Sequence, residues 1–273
     1  MSGSWIIVGC GYTGTRLARS LVGQGNDVTI TRRTADAAQG LAEQLGATGI
    51  RADLADPASL HGVIAPDAIV VCLAPPGPDP AAELRALIGA AAHARKLVYV
   101  SSTGVYAPGG GAWVGESWPI APTTPSGRGR VAAETVLAEA RIPWIALRVA
   151  GIHGPDRGLV DRIRGGTYRI VGDGRAHVSR IHVDDLVTAI IAAGTRDVSG
   201  AVNVADDDPA PIGEVADAIA TELGLPPPPR VPADSVSPEI AGMLTADRRI
   251  ANRRLREELG VELRYPSWRT APR

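Results

Sequence analysis

The sequence predicts an α/β fold, a doubly wound parallel sheet that carries a smaller C-terminal lobe. Three observations predict it. Short apolar runs alternate with stretches of helical periodicity through the first 150 residues, the pattern of a sheet buried on both faces. The links between them are only a few residues long, which favours parallel strands joined by crossover helices. Beyond Gly151 the alternation loosens, and a proline linker, Pro226 to Pro229, interrupts it.

The first strand is Trp5-Ile6-Ile7-Val8, apolar throughout. Gly9-Cys10-Gly11-Tyr12-Thr13-Gly14 follows at once, and from Thr15 the pattern turns helical, with Leu17, Ala18, Leu21 and Val22 on one face. A second strand, Val28 to Thr31, ends in Arg32-Arg33. Gly9 lets the chain turn out of the strand, Gly11 leaves room for a pyrophosphate, and Gly14 lets the helix pack close to the strand. The pyrophosphate would rest on the free N–H groups and positive dipole end of the helix. A glycine turn alone is a weak signal; strand, turn, helix and second strand together mark a dinucleotide site of the Rossmann kind. Its expected residues are Gly9, Gly11, Tyr12, Thr13, Gly14, Arg32 and Arg33. An NAD site usually closes the second strand with a carboxylate, but here two guanidiniums stand there, suited to a 2′-phosphate. The expected cofactor is NADP, with NAD less favoured; a solvated basic turn is the plainer alternative.

Ala35 to Leu45 reads as a helix ended by Gly46, and Gly49 to Leu54 as a third strand. A short helix starts at Pro57, Ala68 to Leu73 is a fourth strand, and a proline-rich loop runs from Ala74 to Pro80. Ala81 to Ala94 is a helix and Leu97 to Ser101 a fifth strand. A loop from Thr103 to Pro125 leads to a helix, Gly127 to Ala140, and the strand Trp144 to Val149. Further on, Tyr168 to Val171 and His177 to Ile181 are strand-like, and Val183 to Ala193, Ile212 to Leu223 and Ala251 to Leu259 are helical. The expected division is a nucleotide-binding domain over 1–150, with a return segment near 180–205, and a mainly substrate-binding lobe over 151–273.

Composition narrows the function. The 273 residues carry a net charge of −1, which gives no electrostatic case for nucleic acid or an anionic membrane. No apolar run approaches the roughly 20 residues of a membrane span. Cys10 and Cys72 are the only cysteines, too few for a disulfide framework or a metal-ligand spacing. A soluble cytoplasmic protein acting on a small molecule, with no metal, is the expectation.

In an open α/β sheet the ligand lies beyond the carboxyl ends of the strands. That edge holds Asp53 and Leu54 after the third strand, expected near the adenine, and Leu73 and Ala74 after the fourth, expected along the adenosine. Ser101-Ser102-Thr103 ends the fifth, where the nicotinamide would lie. Singly, each such residue is as readily a turn or helix cap as a ligand contact.

Several pieces resemble the short-chain dehydrogenase/reductase superfamily, in its extended epimerase/dehydratase branch. They are Gly9-x-Gly11-x-x-Gly14, Asp53-Leu54, Tyr99 to Tyr106, Leu147-Arg148-x-x-Gly151-Ile152-His153-Gly154-Pro155, Ile181 to Leu186 and Asn203-Val204, in the family's order. The resemblance implies that Ser102 hydrogen-bonds the substrate oxygen, that His182 to Asp185 ties the two lobes together, and that a homodimer pairs through helices.

The chain also departs from the family. The resemblance calls for a Tyr proton donor followed four residues later by a Lys; Ser126 and Arg130 stand in those places. The only lysine, Lys96, opens the fifth strand at the edge away from the cofactor. The candidate catalytic residues are therefore Ser102, Arg130, Ser126 and Tyr106, with His153 a further group able to titrate near neutrality. Arg130 would hold the ribose but cannot titrate. Arg148 and Arg180 either bind an anionic substrate or pair with carboxylates. Two functions follow: an NADP-dependent oxidoreductase or epimerase-like enzyme on a small polar substrate, a sugar-like one among the candidates, or a non-catalytic NADP(H)-binding sensor or scaffold.

Overall fold

The computed structural model describes residues 3–271. Seven parallel strands form the central sheet: β1 (Ser4–Val8), β2 (Asp27–Arg32), β3 (Thr48–Arg51), β4 (Ile69–Cys72), β5 (Lys96–Ser102), β6 (Trp144–Val149) and β7 (Gly200–Val204). Their spatial order is β7-β6-β5-β4-β1-β2-β3. The chain winds outward from β1 to β3, then returns to β1's other side as β4. The switch point between β1 and β4 is where such sheets open a crevice for ligands. The doubly wound parallel sheet is thus observed.

Residues along a strand point alternately to the two faces, and both faces are covered. Trp5, Ile7, Ile69, Val71, Val98 and Val100 face one apolar cluster, closed by helices α1 (Tyr12–Gly23), α2 (Ala35–Leu45) and, later in the chain, α6. Ile6, Val8, Val70, Cys72, Leu97 and Tyr99 face the other, closed by α3 (Pro80–Ala90) and α4 (Pro125–Ala138). Leu17 and Leu21 of α1 are 0% and 1% exposed, and burying a leucine contributes roughly 1.5–3 kcal/mol.

A further cluster joins α5 (Leu159–Arg164) and α7 (Ile212–Glu222) through Ile163, Tyr168, Ile170, Ile212, Val215 and Trp268. The segment between returns to the sheet: α6 (Val183–Thr195) packs on α1, and β7 adds the edge strand beside β6. Two last helices are short, α8 (Pro238–Leu244) and α9 (Arg253–Glu257), and Leu255 of α9 packs into the sheet's own core.

Most helix and strand ends differ from the sequence reading by a few residues, α3 ending at Ala90 and α9 spanning only Arg253–Glu257, and three differences have a clear physical cause. Helix α1 begins at Tyr12 instead of Thr15, because Gly11 already accepts the first intrahelical bond, from the Thr15 N–H at 2.9 Å. Strand β3 stops at Arg51, since Asp53 leaves the ladder for a turn in which its carboxylate accepts the Ala55 N–H at 3.1 Å. The reading of 177–181 as one strand resolves into His177–Val178 and Arg180–His182, which pair with different partners.

Candidate active site

A cavity of about 540 Å³ opens at the switch point. One end is built from backbone. Gly9 has φ +82°, and a Cβ there would stand 2.7 Å from the Ala74 nitrogen, so only glycine lets β1 leave beside β4. At Gly14 a Cβ would press within 3.2 Å of Cys10 and Leu73. At Gly11 it would meet nothing within 4 Å; the space in front of the turn is open. Helix α1 starts there with no capping side chain and no acid in its first turn, so its leading N–H groups suit an anion. Thr13 is buried in the cavity wall beside Leu73. Tyr12 donates from its hydroxyl to the Pro155 carbonyl at 2.8 Å and lies between the guanidiniums of Arg16 and Arg157.

Arg32 ends β2 opposite Arg51 of β3, with its Nε buried and without a partner. Arg33 beside it is exposed. An unpartnered buried donor is costly unless something fills its place. The open Gly11, the uncapped α1 and the orphaned Arg32 nitrogen together fit a dinucleotide. Asp53 and Leu54 do not line this cavity. The Asp53 carbonyl accepts from Ser59 at 3.0 Å, and Leu54 packs against the α3–α4 face of the core. Ala74 lies under Gly9.

The other end is built from side chains. Ser102 lines the cavity and its Oγ accepts the Gly104 N–H at 3.0 Å. Helix α4 starts against this loop: a Cβ on Gly127 would stand 2.5 Å from the Gly104 carbonyl. Ser126 and Arg130, one turn apart on α4, both reach the cavity. Arg130 donates from Nη1 to the carbonyls of Val100 at 2.7 Å and Ala74 at 3.3 Å, and to the Tyr99 hydroxyl at 3.1 Å. Ser126 is engaged too, giving both its Oγ–H and its N–H to the Glu239 carboxylate of α8.

Tyr106 does not reach the cavity. It is fully buried, donating to Asn203 Oδ1 at 2.7 Å and accepting from Arg148 at 3.0 Å. Burial pushes its pKa up to about 12, against the lowering effect of Arg148. It belongs to a network in which Arg148 pairs with Glu134 at 2.7 Å and Glu134 accepts from Ser101. That settles Arg148 as a carboxylate partner. His153 also lies off the cavity, with burial first and His182 second driving its pKa down to about 4. His182 caps α6 by accepting the Asp184 N–H at 3.2 Å and stacks on Tyr265. Asp185 accepts the N–H groups of Arg264 and Tyr265 at 2.8 and 2.9 Å. These two residues hold structure together.

Sequence reasoning missed the far wall. Gly242, Met243, Leu244 and Ala246 close the cavity above Ser126, and Arg157, His177 and Arg248 line it. Arg248 is bound to the carbonyls of Thr103, Tyr106 and Ala107, whereas the Arg157 backbone pairs with Gly154 and, among the described residues, its guanidinium is held only by its stack on Tyr12. No motif flags these positions, because they come from short elements remote in sequence. Among the described residues no group of three or more His, Cys, Asp or Glu could hold a metal, and no helix is long and apolar enough to cross a membrane.

Comparison with known proteins agrees with this geometry. A family model described as NAD(P)H-binding matches residues 9–193. A Streptomyces protein named 3-diazoavenalumate denitrifying reductase is 33% identical over 196 residues, 66% of this chain. The match spans 64% of that relative's own length. A conserved protein of unknown function from Silicibacter pomeroyi has a similar structure, with TM-score 0.84, 34% identity and coverage of 99% of this chain and 96% of that one. UDP-glucose 4-epimerase from Thermotoga maritima, solved with UDP-glucose, has TM-score 0.79 at 17% identity, covering 96% and 94%; this shows a shared fold. The chain belongs to the NAD(P)H-binding family, on the fold of the extended short-chain dehydrogenases/reductases.

Proposed function

We propose that this protein is an NADPH-dependent reductase of small organic molecules that works without a Tyr–Lys pair. The observation that supports it most is the single cavity joining the glycine turn to Ser102 and Arg130, with Ser126 held by Glu239 at the tyrosine's place. NADPH over NADH rests on Arg32, Arg33 and Arg51, which gather at the ends of β2 and β3. When bound, the cofactor supplies a hydride at its nicotinamide. Ser102 accepts from Gly104 and keeps its own O–H free to orient a substrate oxygen or nitrogen. Arg130 keeps donors beyond Nη1 for ribose hydroxyls.

A carbonyl reductase or epimerase needs an acid tuned toward the working pH. Burial pushes Tyr99 and Tyr106 up to about 12, and the Ser126 hydroxyl already gives its proton to the Glu239 carboxylate. Acceptors that take a hydride without a protein-supplied proton therefore fit best. Replacing a diazonium group by hydrogen is such a step: the C–N electron pair leaves with dinitrogen, a C–H bond forms, and no proton is delivered. The name of the Streptomyces relative describes a reductase of a diazo compound that removes nitrogen.

The test is a tryptophan-fluorescence titration with NADPH and NADH, followed by NADPH consumption with an aryl diazonium acceptor. NADPH binds more tightly, and Arg32→Ala removes the preference, losing about tenfold in affinity or more. Ser102→Ala slows turnover while NADPH affinity holds. Equal binding of NADH would sink the 2′-phosphate assignment. The Glu239-bound Ser126 also favours a second reading, a non-catalytic NADPH sensor; tight NADPH binding with no consumption by any acceptor would select it.

A further inference from the structure

We propose that the substrate is a small organic anion with an apolar body, such as an arylcarboxylate, and not a nucleotide sugar, and that α8 selects it. This deepens the reductase reading and rests on it. Three features of the cavity carry the inference.

First, no Asp, Glu, Asn or Gln lines the cavity among the described residues. Sugar hydroxyls are held in protein sites by such carboxylates and amides, and an unpaired hydroxyl against an apolar wall costs binding. The hydroxyls that do line it are mostly engaged with protein. Ser101 gives to Glu134, Ser126 gives to Glu239, Thr124 accepts from Gly127, and Ser179 accepts from the Ile250 N–H. Ser102, Thr13, Thr103 and Thr123 offer single hydroxyls, and none supplies the paired acceptors that grip neighbouring sugar hydroxyls.

Second, the wall beyond Ser102 is apolar. Ile152, Val178, Met243, Leu244, Ala246 and Ile250 form it, while Arg130, Arg157 and Arg248 stand around it with no lining carboxylate to offset them, and the Arg157 guanidinium has no hydrogen-bond partner among the described residues. A cleft with charge of one sign selects ligands of the other.

Third, α8 is fixed in place as part of that wall. Glu239 receives both the N–H and the Oγ–H of Ser126, so the start of α8 is tied to the start of α4. A Cβ on Gly242 would stand 2.7 Å from Thr124 Cγ2, so α8 lies directly on the turn before α4. Met243 then reaches the cavity while 57% exposed, and an unbranched thioether adapts to a flat apolar partner.

The test is calorimetric titration of the NADPH-saturated protein with trans-cinnamate and, separately, UDP-glucose. Cinnamate binds and UDP-glucose gives no heat of binding. Met243→Asp, at an exposed position that does not threaten folding, weakens cinnamate about tenfold by setting a carboxylate in the apolar wall, and NADPH affinity stays as in the wild type. Met243→Leu restores cinnamate binding. UDP-glucose binding in preference to cinnamate, or cinnamate indifferent to Met243→Asp, overturns the substrate class and leaves the cofactor reading standing. A protein that fails to bind NADPH at all takes both down.

Discussion

The two ends of the cavity differ in what holds their residues in place. At the glycine turn the main chain itself is crowded: a Cβ on Gly9 would stand 2.7 Å from the Ala74 backbone nitrogen, and one on Gly14 would stand 3.2 Å from the side chains of Cys10 and Leu73. At the start of α4, side chain meets side chain: Ser126 is held by Glu239, and Arg130 by three oxygens. Backbone contacts admit one residue type and leave a fixed pattern in the sequence. Side-chain contacts can be rebuilt from other residues, so this end can lose its Tyr–Lys pair while the sheet beneath it stays the same.

The sharpest way to break the first end is Gly9→Ala. The new methyl must enter space held by the Ala74 backbone, at a φ of +82° that L residues rarely adopt. The expected cost is about 2–3 kcal/mol, read as a lower midpoint in chemical denaturation, together with loss of NADPH binding. A variant with unchanged stability and affinity would mean that β1 and β4 are not packed as closely as this.

A pH-dependent effect probes the side chains that pack behind the sheet's edge. Asp206 is 1% exposed and neither carboxylate oxygen has a partner. Burial pushes its pKa from 3.8 up to about 8, with Arg180 pulling the other way. Between those values the unfolded chain has released the proton and the folded chain keeps it. Folding stability therefore falls as pH rises through this window and levels off above it. Asp206→Asn cannot titrate, so its stability exceeds the wild type's above about pH 8 and the advantage shrinks toward about pH 4. Parallel stability profiles for the two proteins, measured by urea denaturation across that range, would show the carboxyl to be ionised inside the fold.

The same contrast explains what the sequence disclosed. Trp5 to Val8 and Ala68 to Leu73 announce buried strands because both faces are covered, and that demands continuous apolar runs. The glycine turn is legible because Gly9 answers a backbone contact, Gly14 a close side-chain contact, and Gly11 the need for open space in front of the helix. Tyr106 reads as a candidate donor from its place after Ser102, yet its hydroxyl turns inward to Asn203, a partner 97 residues away that no local pattern can name. Asp53 closes a strand and reads as a ligand contact, while one of its carboxylate oxygens also holds its own turn, which the strand pattern does not announce. The wall of Gly242 to Ala246 was hidden for the opposite reason. It is the end of a seven-residue helix and the turn after it, whose apolar positions follow no long period, and its meaning comes only from lying on Thr124. Glu239 is silent in sequence for the same reason.

The smallest expected effect is the most telling for the side-chain end. Ser126 stands where the resemblance places the proton donor, so a donor role predicts that Ser126→Ala collapses turnover. Its hydroxyl proton is given to Glu239, and α8 is additionally held by the Ser126 N–H and by Gly242 against Thr124. Removing the hydroxyl costs one exposed hydrogen bond, about 1 kcal/mol, and leaves the wall in position. Turnover is expected to drop no more than about fivefold, with most of the change in KM as α8 loosens. Ser102→Ala in the same assay should lower kcat instead. If Ser126→Ala proves the more damaging of the two in kcat, the serine acts on the substrate, and Glu239 becomes the base that activates it.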